Sequence, residues 1–426
     1  MTRTTLRPSH PLRGSCTVPG DKSITQRAIL LGALAPGVTV IRGGNEGADA
    51  RAALGIARGL GVRVRRAGQG GWSIEGGSLR ESEAVLDARN SGTALRLSMG
   101  LLSGQPFFSV LTGDSSLRGR PVARVIEPLR ALGADISARG GDQFPPVAVR
   151  GRKLRGAAVR TPVPSAQVKS AVLLAAIQAE GRSTVEESAA TRDHTERMLP
   201  LFGAPVHRDG LRASVDGPAT LHAATIDVPG DPSAAAFLVA AATLVPKSDL
   251  TIAAVGVNPT RRAFFELLAR SGAILEMGPE RTLGGEAIAD LRVRAGKLSP
   301  FRVAGAEAGA LIDELPLLAV LAAFTPGESS IRGAAELRVK ESDRIAAVTE
   351  GLLAIGAKVE AHADGWTIEG RANLAGGSVD ARGDHRIAMA FLVAGLRASR
   401  GVQVLGAECA KVSDPDFLPR LRRISR

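Results

Sequence analysis

Six apolar runs recur along the chain. Each is opened by a short extended stretch and a polar or glycine-containing break, and each closes on a glycine-rich stop and a strand-like tail. Two begin alike, VPGDKSITQRAIL from Val18 and VPGDPSAAAFLVA from Val228, 210 residues apart. The others read LDARNSGTALRLSMGLL, VRTPVPSAQVKSAVLLAA, AGALIDELPLLAVLAAF and VDARGDHRIAMAFLVAGL. Their length and their capping residues predict buried helices that start at the polar break. Between them a glycine precedes an alternating strand that ends at a second glycine, as in LGVRVRRAGQGGWSIEG and IGAKVEAHADGWTIEG, which reads as a β-hairpin. The leading glycines, 61, 133, 203, 272 and 356, are 72, 70, 69 and 84 residues apart.

The repeating unit is therefore strand, helix, strand, helix, hairpin, about 70 residues long, and VPGD returns after three units. This predicts an α/β chain made of a duplicated three-unit domain. The sixth hairpin has no counterpart before the C-terminus, so the N-terminal strand is expected to complete that unit. The expected domains are 19–229 and 1–18 plus 230–426, with crossovers near Pro19 and Pro229.

The polar breaks place unusual residues at helix starts: Lys22-Ser23, Asn90-Ser91-Gly92-Thr93, Ser165-Ala166-Gln167, Asp231-Pro232-Ser233, Asp313-Glu314 and Asp384-His385-Arg386. Ser, Asn and Asp there are ordinary N-caps, and Asp231 and Ser233 need no other explanation. The cations are different, because Lys and Arg are unfavourable beside the positive end of a helix dipole and need an anion to meet. Ser23 and Arg27, Gly92 and Arg96, Ser165 and Lys169, and Lys340 and Arg344 are i,i+4 pairs expected to share helix faces. Arg120-Pro121 reads as one more helix start, with Arg120 at the cap. Together with Asp313, Glu341 and Asp384, these cations suit phosphate or carboxylate ligands with acid–base chemistry between them.

Composition narrows the partners. A net charge of +12 admits nucleic acid, an acidic membrane surface or small anions, but 46 of the 54 cations are arginine in an Ala- and Gly-rich chain, which reads as compositional bias. No Lys/Arg run is present and aromatics are only 3%, so nucleic acid is not expected. Tyrosine is absent, so small aliphatic side chains must fill the core. Two cysteines, Cys16 and Cys409, argue against a disulfide framework or cysteine-rich metal site. No stretch reaches the roughly 20 apolar residues of a membrane span. No apolar signal region follows the basic N-terminus, so the expected location is the cytoplasm. GDKS does not complete a P-loop, no G-x-G-x-x-G occurs, and His194 and His385 lack a zinc-site partner spacing.

In order and number, PGDKS, NSGTALRL, LTGDSSLRGRP, SAQVKSAVLLA, TRDHTERML, LRVKESDR, GDHRIAMA and DPDF resemble the 5-enolpyruvylshikimate-3-phosphate (EPSP) synthase family over nearly the whole chain. The resemblance implies two domains, each of three β-α-β-α-β-β units, with an active site in the interdomain cleft. It implies transfer of the enolpyruvyl group of phosphoenolpyruvate to the 5-hydroxyl of shikimate 3-phosphate, the step of aromatic amino acid biosynthesis that is the glyphosate target. No cofactor or metal is needed, and a monomer acting on these small molecules, without nucleic acid or membrane, is expected.

Carried over by motif, Lys22, Ser23, Arg27, Ser165, Ala166, Gln167, Arg192, Asp313 and Lys340 would hold shikimate 3-phosphate. Lys22, Gly92, Arg96, Arg120, Gln167, Arg344, His385, Arg386 and Lys411 would hold phosphoenolpyruvate. Asp313 would accept the hydroxyl proton. Glu341 would protonate the methylene carbon and later take a proton back, with Lys22 assisting at the leaving phosphate. Class II members of the family, many of them glyphosate-tolerant, share GDKS, RDHTE, SAQVK and NPTR. Gly92 stands where tolerant members can carry Ala and leaves room for an inhibitor longer than phosphoenolpyruvate. Glu336 stands where some relatives have an amide and would repel a substrate phosphate. The alternative is a UDP-N-acetylglucosamine enolpyruvyl transferase, in which Asn follows the early lysine and a loop cysteine lies mid-domain. Here Ser23 follows Lys22, and no cysteine lies between 16 and 409. An inactive homologue would be expected to lack Asp313, Glu341 or Lys22.

Overall fold

The computed structural model describes residues 2–8 and 10–425. Six apolar segments form central helices: α1 (Lys22–Leu34), α2 (Gly92–Ser103), α3 (Ala166–Ala176), α4 (Pro232–Leu244), α5 (Leu315–Ala323) and α6 (His385–Gly395). α5 and α6 are buried at every residue, and α4 from Pro232 to Thr243. A helix that is apolar all round has no solvent face and becomes the core.

The chain divides into two compact units. The first is Gly20–Pro229 with Thr282–Glu286; the second is the N-terminal residues through Pro19, Gly230–Arg281 and Ala287–Arg426. Among the described residues each contains three sheets of one pattern: a central strand paired in parallel with one neighbour and antiparallel with the next. In the first unit the central strands are Gly37–Arg42, Phe108–Thr112 and Ala179–Glu186. In the second they are Asp249–Gly256, Gly327–Ile331 and Val402–Leu405. The last of these is flanked by Gly377–Asp380 in parallel and by Arg3–Leu6 antiparallel.

The two VPGD segments lie at the passages between units, and each exchanges an edge strand. Thr225–Asp227 leads toward α4 but pairs with Gly37–Arg42 in the first unit, whereas Arg13–Cys16 leads toward α1 but pairs with Asp249–Gly256 in the second. Backbone bonds match the exchange: Asp21 N–H donates to Pro229 O in the first unit, and Asp231 N–H to Pro19 O in the second, both at 2.8 Å.

Small residues allow close packing. A Cβ on Gly100 of α2 would stand 2.0 Å from the Ala171 carbonyl oxygen of α3, so only glycine permits that approach. Among the described residues no helix is long and apolar enough to cross a membrane.

The periodic glycines have one backbone cause. Gly61, Gly133, Gly203, Gly272 and Gly356 all stand just past a helix or helical turn, with φ of 83°, 90°, 89°, 97° and 88°. That left-handed turn closes the helix and aims the chain into the hairpin. Nothing lies within 4 Å of a Cβ built at Gly133, so its requirement is conformational alone. Gly133→Ala is expected to lower stability by about 1–2 kcal/mol. Gly55→Ala, in open space on the helix Ala48–Gly59, should raise it by about 0.5–1 kcal/mol. Urea midpoints of the two variants check the contrast.

Candidate active-site residues in the two units

In the first unit the polar breaks cap the helices as their residue types require. Asp21 accepts from the Ile24 N–H at 2.9 Å and Ser91 from the Ala94 N–H at 3.1 Å, while Ser165 reaches the Val168 N–H at 3.5 Å. Lys22, Gly92 and Ala166 are then the first helical residues. Lys22 finds an anion within the protein: its Nζ lies 2.8 Å from Asp49 Oδ2. Asp49, on the helix Ala48–Gly59, carried no mark in the sequence.

Arg27 is buried and surrounded by neutral oxygens. Its Nε donates to Thr195 Oγ1 and its Nη2 to Ser170 Oγ, both at 2.8 Å, and its Nη1 donates to Ser23 O at 3.0 Å. Burial pulls the guanidinium down to about 10 against the fields of Asp21 and Glu196, and half-buried Arg192 adds to the fall. It stays charged at neutral pH.

Arg96 and Arg120 flank Gly92. Arg96 Nη1 donates to Gln167 Oε1 and Nη2 to Pro121 O at 3.0 Å, while Gln167 Nε2 donates to Thr93 Oγ1 at 2.9 Å. Arg120 Nη2 donates to Asn90 Oδ1 at 2.7 Å and to Ser116 Oγ at 3.1 Å. The expected helix start at Arg120-Pro121 is corrected. Arg120 ends a 3₁₀ turn, Leu117–Gly119, and the next helix, Ala123–Ala131, begins after Val122. Arg120 precedes a proline and takes the extended backbone such residues favour, φ −93° and ψ 138°.

In the second unit carboxylates and guanidiniums alternate. Arg344 opens the helix Arg344–Ala354, capped by Asp343, whose carboxylate accepts from the Ala346 N–H at 3.0 Å. Its side chain is 1% exposed, and that of its partner Asp384 is 0%. Arg344 Nε donates to Asp384 Oδ2 and Nη2 to Glu341 Oε2, each at 2.7 Å, and Nη1 lies 3.8 Å from Asp313 Oδ1. Burial opposes the Arg344 charge, but Asp384, Glu341 and Asp313 outweigh it and hold the guanidinium above its ordinary value. Burial likewise raises Asp384, yet Arg344 and His385 bring it below the usual carboxylate value. Asp384 also caps α6 through the Arg386 N–H at 2.9 Å.

Arg386 reaches the same carboxylate from α6. Its Nη2 is 3.3 Å from Asp313 Oδ2, and its Nη1 donates to Asp313 O at 2.9 Å and lies 3.7 Å from Glu314 Oε1. Glu314 in turn accepts from Ser233 Oγ, which also accepts from Arg261 Nη2 at 2.9 Å. Ser233 is thus more than a cap residue. His385 is buried at the first position of α6.

Lys340 ends the 3₁₀ turn Ala335–Val339, with Nζ 3.9 Å from Glu336 Oε1, and burial lowers its pKa despite Asp313 and Glu336. The expected shared helix face of Lys340 and Arg344 is corrected, because Asp343 starts the helix between them. Lys411 is exposed on the 3₁₀ segment Ala407–Val412, and among the described residues no ion pair joins it to the cluster.

A cavity of about 680 Å³, lined in part by Lys247, Lys297 and Arg397, lies at the opposite, C-terminal ends of α4, α5 and α6 and contains none of these residues. Among the described residues, no three His, Cys, Asp or Glu side chains are placed to hold a metal ion.

The family model described as EPSP synthase (3-phosphoshikimate 1-carboxyvinyltransferase) matches residues 6–421. The chain is 47% identical over 427 residues to the 3-phosphoshikimate 1-carboxyvinyltransferase of Synechococcus sp. (strain JA-3-3Ab), covering 99% of this chain and 96% of that protein. It is 50% identical over 418 residues to the enzyme of the same name from Anaeromyxobacter sp. (strain Fw109-5), covering 98% and 97%. The solved EPSP synthase from Acinetobacter baumannii matches with a TM-score of 0.88 at 41% identity, covering 99% of this chain and 98% of that one. The enolpyruvyl transferase NikO from Streptomyces tendae, at 17% identity and a TM-score of 0.79 over 98% of this chain and 96% of its own, shares the fold. The repeated sheets, the capped helix starts and these matches over nearly its whole length agree that the chain belongs to the EPSP synthase (3-phosphoshikimate 1-carboxyvinyltransferase) family.

Proposed function

We propose that the chain transfers the enolpyruvyl group of phosphoenolpyruvate to the 5-hydroxyl of shikimate 3-phosphate, releasing phosphate by addition and elimination. The observation that carries this reading is the interleaving of Asp313 and Glu341 with Arg344 and Arg386 in one cluster. Such a cluster pairs acid–base groups with fixed cations, and the reaction needs both. The relatives' shared name favours this acceptor over a UDP-sugar.

In this reading the first unit chiefly binds. Lys22, Ser23, Arg27, Ser165, Ala166, Gln167 and Arg192 hold shikimate 3-phosphate, with Asp313 and Lys340 contributing from the second unit. Lys22, Gly92, Arg96, Arg120 and Gln167 hold phosphoenolpyruvate, with Arg344, His385, Arg386 and Lys411. Asp313 takes the proton of the 5-hydroxyl as its oxygen bonds to C2 of phosphoenolpyruvate, and Glu341 gives a proton to C3. The tetrahedral intermediate then collapses. Glu341 takes a proton back from the new methyl group as the C2–phosphate bond breaks, and Lys22 offsets the charge on the departing phosphate. An enol carbon is a poor base, so the acid must be placed, and the guanidiniums stabilise charge best where water is excluded. A substrate carboxylate arriving at Arg344 competes with Glu341 for the guanidinium and loosens that carboxylate for proton transfer.

Two variants test the roles. Glu341→Gln should still bind shikimate 3-phosphate in a calorimetric titration while phosphate release falls by about 100-fold or more; unchanged turnover would remove Glu341 from the mechanism. A methyl on Gly92 would stand 2.9 Å from Arg96 Nη1 and 3.7 Å from Arg120 Nη1. The flexible guanidinium can retreat, so the melting temperature of Gly92→Ala should stay near that of the parent. Arg96 would leave Gln167, however, and KM for phosphoenolpyruvate should rise by about tenfold, with steady-state kinetics as the check.

A further inference from the structure

Lys169 is a buried cation to which the proposed reaction assigns nothing. Its side chain is 3% exposed, and its Nζ lies 2.7 Å from Glu187 Oε2 and 2.6 Å from Glu196 Oε1. Two carboxylates on one lysine are an expensive thing to bury. Glu196 Oε2 is buried as well and accepts no hydrogen bond.

This cluster adjoins Arg27. Lys169 precedes Ser170 on α3, and Glu196 follows Thr195 on the helix His194–Met198. Ser170 and Thr195 are the hydroxyls that hold Arg27, and their oxygens lie 2.7 Å apart. The ion pair and the hydroxyl pair thus form consecutive rungs between the two helices.

Three carboxylates raise the Arg27 pKa through their fields: Asp21, Glu196 and Glu286. Each is engaged elsewhere. Asp21 Oδ1 accepts from the Ile24 N–H at 2.9 Å, Glu286 Oε1 lies 2.7 Å from His194 Nδ1, and Glu196 is held by Lys169. Arg27 meanwhile donates through Nε, Nη1 and Nη2 to one neutral oxygen each. Of the five N–H groups of a guanidinium, two are left, and among the described residues no hydrogen-bonded carboxylate cancels the charge.

We propose that Lys169 is a positioning residue for substrate binding: by holding Glu196 it keeps that carboxylate off Arg27 and leaves the guanidinium charge for the phosphorylated substrate. The inference rests on Arg27 being a ligand of shikimate 3-phosphate. A carboxylate facing a guanidinium forms a strong, often bidentate pair. Without Lys169, Glu196 turns its unbonded oxygen to Arg27, and the site neutralises itself. Lysine suits the task because its ammonium can serve both carboxylates from the first turn of α3.

The test is calorimetric titration of shikimate 3-phosphate into the full-length protein and four variants, with melting temperatures recorded alongside. Lys169→Met should weaken binding by about tenfold or more, and Lys169→Arg should keep it within about threefold of the parent. The pair Lys169→Met with Glu196→Gln should also return within about threefold of the parent, because the competing carboxylate is gone. A purely structural clamp would not be rescued in this way. Parent-like binding by Lys169→Met, or a double variant as weak as the single one, overturns the proposal. Should Lys169→Met fail to fold, Glu196→Gln and the double variant decide. Parent-like binding by both supports the proposal, and about tenfold weakening in either overturns it. A parent protein that takes up no shikimate 3-phosphate would overturn the assignment of Arg27's ligand, a result distinct from equal binding by parent and variant.

Discussion

A guanidinium buried almost completely at a helix start meets two penalties, lost hydration and the positive end of the helix dipole, and Arg344 bears both. It stays because acids from three other segments converge on it: Asp313 ahead of α5, Glu341 in the preceding loop and Asp384 at the cap of α6. The same contacts tie the starts of α5, α6 and Arg344–Ala354 together, so the electrostatic requirement of one side chain registers three elements. These carboxylates are held in place by a charge that cannot do without them.

The first unit solves its own version of the problem differently. Arg27, on α1, donates to the hydroxyl and carbonyl oxygens of Thr195, Ser170 and Ser23, while Arg96 and Arg120 bond the side-chain amides of Gln167 and Asn90. Neutral acceptors orient the Arg27 guanidinium without cancelling it, which leaves field for an anion. One pattern of strand, capped helix and hairpin therefore carries two electrostatic characters, a guanidinium held by neutral acceptors in one unit and a cluster of alternating guanidiniums and carboxylates in the other.

Much of the fold was legible because its signals are local. An apolar run after a polar break marks each central helix, and the spaced glycines mark left-handed turns that other residues adopt only under strain. The failures are local as well. Arg120 and Lys340 each follow a 3₁₀ turn, a short element with little periodicity to read, and so each was assigned to a helix that begins later in the chain. Asp49, Ser170 and Thr195 carry no mark for another reason. Each acquires its role only when distant segments meet, as when Thr195 approaches Arg27 across 168 positions of sequence. No spacing rule along the chain encodes such a meeting. Arg261 is legible in the sequence only as part of NPTR, and its contacts with Ser233 and Asp231 give it a physical task.

The most direct measurement is phosphate release by the purified protein given phosphoenolpyruvate alone, shikimate 3-phosphate alone, and both. The account predicts release only with both, one phosphate for each phosphoenolpyruvate consumed. Release from either compound alone at a comparable rate, or none with both, would contradict it.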